Sequence, residues 1–250
     1  MKTVLITGCS SGFGLETTRH FLERGWKVVA TMRTPREDLL PASDNLRILT
    51  LDVTDPDSIR NALQAAGPID ALVNNAGVGW LNALEGTSMQ TARDIFDVNT
   101  FGTMEMTQAV LPQFRIRRAG VIVNVSSSVT LKALPLLSVY TSSKAAVNAF
   151  TESLALELEP FGIRVRIVLP GRAPETSFGD NARARMQGHG AGFPQAYSDV
   201  VAKVFAGWEG QSASETTRSI DVAEAIWRAV TDPASPMRIP AGADAIALAS

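Results

Sequence analysis

The chain has 250 residues, enough for one full-sized core, with a formal net charge of -2 and 19% charged residues. That balance leaves no electrostatic case for a nucleic-acid partner, and the short basic run Arg115-Ile116-Arg117-Arg118 reads as a solvated helix end. One cysteine excludes an internal disulfide, and two separated histidines, His20 and His189, supply no metal-ligand cluster. The apolar run Val4-Leu5-Ile6 near the N-terminus is too short for a signal-peptide core or a membrane span. A soluble, cytoplasmic protein is expected.

Short apolar strands alternate with helical patterns from the first residues onward. This predicts an α/β chain, a single-domain doubly wound parallel sheet (Rossmann type) covered on both faces. Strands are expected near 3–7, 27–32, 46–51, 70–74, 120–126 and 163–169. Each is rich in Val, Ile or Leu without polar alternation, as strands buried on both faces should be. The first helix follows a glycine loop and stops at Gly25, where a left-handed cap is wanted. Asp55-Pro56 opens the next helix, with Asp55 as N-cap and Pro56 at the first helical position. Ser88 caps another. A long helix from Tyr140 to about Glu159 carries Ala, Val, Phe and Leu on most of its circumference. One face would cover the sheet, and the other is either a subunit contact or further core of a monomer.

Pro160 ends that helix before the sixth strand. Residues 171 to about 219 then break the rhythm, with Phe178, Met186, Phe193, Tyr197, Phe205 and Trp208 set among Gly, Ala, Ser and Arg. A helical lid inserted after the sixth strand is expected, with packing alone as the plainer reading. A final helix starts at Asp221, and 236–242 suggests a short last strand. No linker divides the chain, so 1–250 reads as one domain.

The chemistry begins at Thr7-Gly8-Cys9-Ser10-Ser11-Gly12-Phe13-Gly14, which joins a strand to a helix. Glycines there let the backbone approach a pyrophosphate at the helix N-terminus, and Ser10 and Ser11 add hydroxyl donors. Cys9 reads as a small packed residue, since nothing nearby argues for a base. At the end of the second strand an acid would favour NAD, but Met32 stands there and Arg33 follows. A guanidinium suits a 2′-phosphate, which favours NADP(H) over NAD(H). Downstream, Ser126-Ser127-Ser128 ends an apolar strand, and Tyr140 precedes Lys144 by one helical turn on the same face. An ammonium near a phenol favours phenolate, which would bring Tyr140 toward the range useful for general acid–base catalysis. A phosphate loop and a proton-donating phenol in one domain point to hydride transfer. A serine hydrolase is disfavoured, because neither histidine is placed as a base.

In this order, the TGxxxGxG loop, Leu51-Asp52-Val53, Asn74-Asn75-Ala76-Gly77, Asn99, the serine strand end, Tyr140-x-x-x-Lys144 and Pro170-Gly171 resemble the short-chain dehydrogenase/reductase family, in its non-extended branch, over essentially the whole chain. The resemblance implies that Asp52 contacts the adenine amino group and Val53 supplies a backbone contact. It also implies that Asn74 and Ala76 lie along the cofactor and that Gly77 lets it approach. The family's serine stands thirteen residues before its tyrosine, which selects Ser127. Tyr140 is then the proton donor in reduction and the acceptor in oxidation. Lys144 also binds the nicotinamide ribose, and Asn99 fixes a water that links Lys144 to solvent. Glu175 stands where the family often has a nicotinamide-binding threonine, and Thr176 lies one position on. The tail departs from that of many tetrameric members and looks more like that of members acting on apolar carbonyl compounds; homodimer and homotetramer stay open.

The expected activity is NADP(H)-dependent interconversion of an apolar ketone or aldehyde and its alcohol. Leu131–Leu137, Trp80 and the lid aromatics are the expected apolar walls. A dinucleotide-binding redox sensor with little turnover is the alternative, and a lyase, epimerase or dehydratase on the same fold is a third reading. Cofactor turnover separates the first from the other two.

Overall fold

The computed structural model describes residues 1–188, 192–209 and 216–250. Within them the chain runs β1 (Thr3–Thr7), α1 (Gly12–Glu23), β2 (Lys27–Met32), β3 (Leu46–Thr50), α2 (Pro56–Ala66), β4 (Ala71–Asn74), α3 (Met89–Phe96), α4 (Gly102–Arg117), β5 (Gly120–Val125), α5 (Ser138–Leu158), β6 (Ile163–Pro170), α6 (Phe178–Gly188), α7 (Ser198–Glu209), α8 (Ser219–Thr231), β7 (Arg238–Ala241) and α9 (Ala243–Ala249). The seven described strands form one sheet in the order β3-β2-β1-β4-β5-β6-β7, and every pairing is parallel. The order reverses between β1 and β4. A crevice therefore opens beyond the carboxyl ends of these two strands, where such sheets take ligands.

Strand side chains alternate between two cores, so both faces are apolar. Val4 and Ile6 join Phe21, Val28, Val123, Val222 and Ile226 under α1 and α8. Leu5 joins Val29, Leu72, Ile122, Met106 and Leu154 under α2, α4 and α5. Register is thereby fixed, because a slip by one residue would exchange the two sets.

Local signals set the ends of these elements. Asp55 accepts the Asp57 N–H at 2.9 Å and caps α2, and the Ser88 hydroxyl accepts the Thr91 N–H at 3.0 Å and caps α3. After α1, Gly25 (φ +74) donates to Leu22 O at 3.0 Å and Trp26 N–H to Phe21 O at 3.1 Å. These two bonds form a Schellman cap, closed by the Phe21–Trp26 ring contact at 5.3 Å. Helix α8 begins at Ser219 rather than Asp221, because Asp221 is the third residue of a capping box and accepts the Arg218 N–H at 2.9 Å.

Other features depart from the sequence reading or add to it. Strand β6 alternates after all: Arg164 and Arg166 are half-buried and bond the carbonyls that end α8 and its following turn, among them Val230 O at 2.7 Å and Ser235 O at 2.9 Å. Helix C-terminal carbonyls carry partial negative charge, which makes these arginines good partners. Helices α3 and α4 are joined by a π-helical turn, Asp97–Phe101, which the periodicity did not foretell. The tail adds α9 beyond the expected strand. Helix α5 covers the sheet with one face only; Ala145, Ala149, Ser153 and Leu156 stand exposed on the other. No helix among the described residues is long and apolar enough to cross a membrane.

Candidate active site

Four segments meet at the crevice. The first is the glycine loop after β1. Gly8 has φ +74, and a Cβ there would come within 2.8 Å of Ala76 Cα; one on Gly14 would collide with the Gly8 carbonyl. The Thr7 hydroxyl accepts both Asn75 N–H (3.0 Å) and Ala76 N–H (2.9 Å), while the Asn75 amide donates to Thr7 O (2.9 Å) and Gly8 O (3.1 Å). The loops after β1 and β4 are thus tied into one rigid floor. Asn75 was missed as a functional candidate, although it lies inside the quoted motif. The Asn74 side chain turns away from the crevice instead, bonding Thr107 Oγ1 at 3.1 Å and Asn124 Oδ1 at 2.9 Å.

A cleft of ≈ 360 Å³ lies against this loop, lined by Ser10, Ser11, Gly12, Arg19, Thr176 and Ser219 among others. Ser10 and Ser11 are exposed there, and Ser11 stands at the α1 N-cap with no bond from its side chain to the helix. Phe13 is half-buried in the first turn and packs on the core beneath. Glu175 is engaged elsewhere, accepting the Ser219 N–H at 2.6 Å, so Thr176 rather than Glu175 stands across from Gly12, about 3.4 Å from where a Gly12 Cβ would be. A glycine cradle, exposed hydroxyls and a helix N-terminus with unpaired N–H groups fit a pyrophosphate. Cys9 is fully buried, and burial pushes its thiol up to about 11, as for a packing residue.

The second segment is the end of β2 and β3. Met32 is buried and Arg33 exposed. Burial raises the Asp52 pKa, but the Thr54 N–H (2.9 Å) and hydroxyl (2.7 Å) and the nearby Arg33 guanidinium outweigh it and hold Asp52 below its ordinary value. Val53 is buried next to it.

The third segment holds the chemistry. Of the three serines, Ser126 bonds Lys144 O at 3.2 Å and Ser128 enters a short turn, while the Ser127 hydroxyl meets the Tyr140 phenol. Helix α5 presents Tyr140 and Lys144 one turn apart, both buried. Lys144 Nζ donates to Val125 O at 3.0 Å, and Gly77 leaves the space beside Nζ and Asn99 Oδ1 open. Asn99 sits in the π-helical turn, its side chain paired with both backbone groups of Val78 (2.8 and 3.0 Å) and donating to the Ser143 hydroxyl at 3.0 Å. Ser143 in turn donates to Tyr140 O at 2.7 Å. Sequence reasoning missed Ser143, whose only signal is its place beside Lys144.

Electrostatics here run opposite to the expectation that Lys144 would lower the phenol's pKa. Burial pushes Tyr140 up to about 12, with the Ser127 bond pulling against it, and burial pushes Lys144 down to about 8. Desolvation disfavours the charged form of each group and is the largest cause of both shifts.

The fourth segment follows β6. Gly171 N–H bonds Thr217 Oγ1 at 2.9 Å, and Asp244 accepts the Arg172 N–H at 2.6 Å and the Thr217 hydroxyl at 2.7 Å. Both ends of 171–219 are thus knotted beneath Pro170. Above the knot, Phe178 and Met186 of α6 pack toward Tyr140, joining Val78, Trp80, Val129, Leu137 and Val139. Trp80 is fully buried, its indole N–H on Thr87 Oγ1 at 2.9 Å. Leu134 is exposed, and Leu136 is held at φ 66 with its carbonyl on the Asn82 N–H at 2.9 Å. Phe193, Phe205 and Trp208 form a separate aromatic group, and Tyr197 donates to Glu85 at 3.1 Å. His20 lies far from Ser127 in sequence and packs on Trp227, and His189 falls outside the described residues. No group of three metal-binding side chains occurs among the described residues.

Comparison with known proteins gives the same frame. The family model described as short chain dehydrogenase matches residues 2–187. A Bacillus subtilis protein named uncharacterized oxidoreductase YusZ is 42% identical over 181 residues, 68% of this chain and 64% of that one. Human retinol dehydrogenase 8 is 41% identical over 181 residues, 68% of this chain and 58% of that one. The chain therefore matches less than two thirds of these relatives' own lengths. Among solved structures, a short-chain dehydrogenase from Streptomyces avermitilis superposes with a TM-score of 0.83 at 34% identity, covering 99% of this chain and 90% of that one. The closed form of a serine dehydrogenase complexed with NADP+ gives 0.80 at 29% identity, covering 95% and 93%. With the family match spanning most of the sheet and its ordered motifs meeting at one crevice, the chain belongs to the short-chain dehydrogenase/reductase family.

Proposed function

We propose that the protein is an NADP(H)-dependent oxidoreductase that interconverts an apolar ketone or aldehyde and its alcohol. The observation that carries this reading is the contact of the Ser127 hydroxyl with the Tyr140 phenol, with Lys144 one turn further along α5 at the mouth of the β1–β4 crevice. Such a pair can hold a carbonyl oxygen and hand it a proton.

When bound, a reduced nicotinamide supplies the hydride that reaches the carbonyl carbon. Ser127 donates a hydrogen bond to the substrate oxygen and steadies the negative charge growing there. Tyr140, a neutral phenol at pH 7 whose proton burial holds still more firmly, transfers that proton to the oxygen; in alcohol oxidation the proton returns to Tyr140. Lys144, one turn along α5, is assigned to offset the phenolate left behind and to bond the ribose hydroxyls. Asn99, braced by Val78 and Ser143, holds the backbone beside Lys144. The roles of Gly8, Ser10, Ser11, Gly12, Phe13 and Gly14 at the pyrophosphate, Asp52 and Val53 at the adenine, Ala76, Gly77 and the backbone of Asn74 along the nucleoside, and Pro170, Gly171 and Thr176 at the nicotinamide belong to the same reading. NADP(H) is favoured by Arg33 standing exposed where no acid is available to reject a 2′-phosphate, and the serine dehydrogenase relative was solved with NADP+. The walls around Tyr140 favour an apolar substrate, and one relative is named for retinol.

Binding of NADPH and NADH to the purified protein, then NADPH oxidation against a panel of apolar ketones and aldehydes, tests the reading. Turnover of a panel member that Tyr140→Phe abolishes, by at least about 100-fold and with NADPH affinity kept, is the expected result. Full activity in Tyr140→Phe removes the mechanism, and tight binding without turnover across the panel moves the protein to the sensor class.

A further inference from the structure

Phe178, the first residue of α6, lies across the Ser127–Tyr140 site. Its ring centroid is 5.9 Å from that of Tyr140, with the planes at 57°. On its other side is Gly79, where an added Cβ would lie 2.8 Å from Cε1 and 3.0 Å from Cζ of Phe178, and 3.1 Å from Ala182 Cβ. Real Cβ atoms do not approach that closely, so a side chain at residue 79 would make the ring shift from this position. The ring itself is 40% exposed, whereas Tyr140 beneath it is 7% exposed. Phe178 thus shields the phenol while keeping much of its own surface in water, a position an apolar ligand can compete for. As the ring now stands, it blocks a carbonyl group on the Phe178 side of Tyr140.

We infer that Phe178 is a displaceable plug that selects substrates: it leaves the Gly79–Tyr140 seat when an uncharged compound with a flat apolar group beside its carbonyl takes the ring's place. This deepens the oxidoreductase reading and rests on it. The chemistry of the seat makes the choice. The ring's neighbours there are the Gly79 backbone and the Tyr140 ring, neither of them charged, and Tyr140 itself belongs to an apolar cluster with Val78, Val129, Leu137 and Met186. A flat apolar group restores the area that Phe178 gives up, whereas a short aliphatic carbonyl compound covers too little to displace it. A charged group would lose hydration there without gaining a partner.

Two variants test the plug. Phe178→Ala removes the ring, and Gly79→Ala pushes it off its seat from the other side while keeping it in the protein. Nitration by tetranitromethane, read by peptide mass spectrometry, reports access to Tyr140 without requiring turnover, with Tyr197, the other tyrosine of the chain, as internal reference. The Tyr140-to-Tyr197 nitration ratio is expected to rise several-fold in both variants. In steady-state NADPH oxidation, the ratio of kcat/KM for an aryl ketone to that for a short aliphatic ketone is expected to fall about tenfold in Phe178→Ala, because the short ketone no longer has to displace the ring. An unchanged nitration ratio in both variants overturns the plug, as does an unchanged ketone selectivity in Phe178→Ala. Raised nitration with no turnover of any ketone by the wild-type protein instead overturns the oxidoreductase reading, and substrate selection falls with it.

Discussion

Replacing Lys144 by Met leaves a chain of similar length in the same buried slot and removes only the amine. The lysine is 5% exposed, and burial takes its pKa from 10.5 down to about 8. Because the folded-state pKa is the lower one, the unfolded chain binds the proton more tightly, and the folded state is penalised wherever the unfolded lysine is charged. The fall from 10.5 to about 8 amounts to about 3 kcal/mol, present in full below pH 8 and fading as pH climbs toward 10.5. Against this, the variant leaves Val125 O without its 3.0 Å donor, at a cost of about 1–3 kcal/mol that does not change with pH. The two effects separate by their pH dependence. Urea unfolding of both proteins at pH 7 and pH 10 should show the stability of Lys144→Met relative to wild type falling by about 2 kcal/mol between the two. Tyr140 is common to both proteins and drops out of the comparison. A difference that stays constant from pH 7 to 10 would refute a desolvated ammonium at this site, and with it the argument that Lys144 is poised to compensate a phenolate.

Two further outcomes follow from residues outside the proton-transfer pair. Arg33→Ala should weaken NADPH about 10- to 100-fold in a fluorescence titration and leave NADH within about threefold, the expected loss for a charged hydrogen-bonded contact to phosphate. Equal loss for both nucleotides removes the phosphate role. Thr217→Val takes away the acceptor for Gly171 N–H and the donor to Asp244 in a residue with no exposure, so unfolding free energy should fall by about 1–3 kcal/mol in urea. An unmoved midpoint would mean that the knot beside Pro170 contributes nothing to stability.

What the sequence made legible was whatever local chemistry encodes. The six strands stand within a residue or so of where their apolar runs place them, because both faces of a parallel sheet demand unbroken Val, Ile and Leu. Asp55-Pro56, Ser88 and Gly25 mark helix ends for the same reason: each satisfies backbone groups that a helix terminus leaves open. Features set by tertiary contact were not legible. Arg164 and Arg166 look like polar interruptions of a strand until α8 ends above them. Asn74 and Asn75 are equivalent as letters, yet the pleat sends one side chain into the helical layer and leaves the other to brace the glycine loop. The Phe178–Gly79 contact joins positions far apart in the chain, and a glycine kept open for a ring looks like any other glycine. Seven residues of α9 carry too little periodicity to announce a helix.

The reversed pKa directions at Tyr140 and Lys144 bear on how such a pair works. From spacing alone the ammonium should draw the phenol toward ionisation, giving a base ready at neutral pH. Burial does the opposite, and the resting pair at pH 7 is a neutral phenol beside a lysine whose proton is held less firmly than in water. For carbonyl reduction this is the useful starting state, since the phenol must arrive with its proton and give it up only when a stronger base forms next to it. In the proposed reaction the substrate oxygen becomes that base. Once the proton has moved, the buried phenolate is costly unless a positive charge is near, and at that moment the proton on Lys144 becomes harder to remove. On the proposed reading, a phenol shielded by Phe178 gives up its proton when the substrate oxygen turns basic, and not in step with bulk pH. Opening that site to water should make the two events less tightly coupled, which is why access to Tyr140 and ketone selectivity should change together when Phe178 is removed.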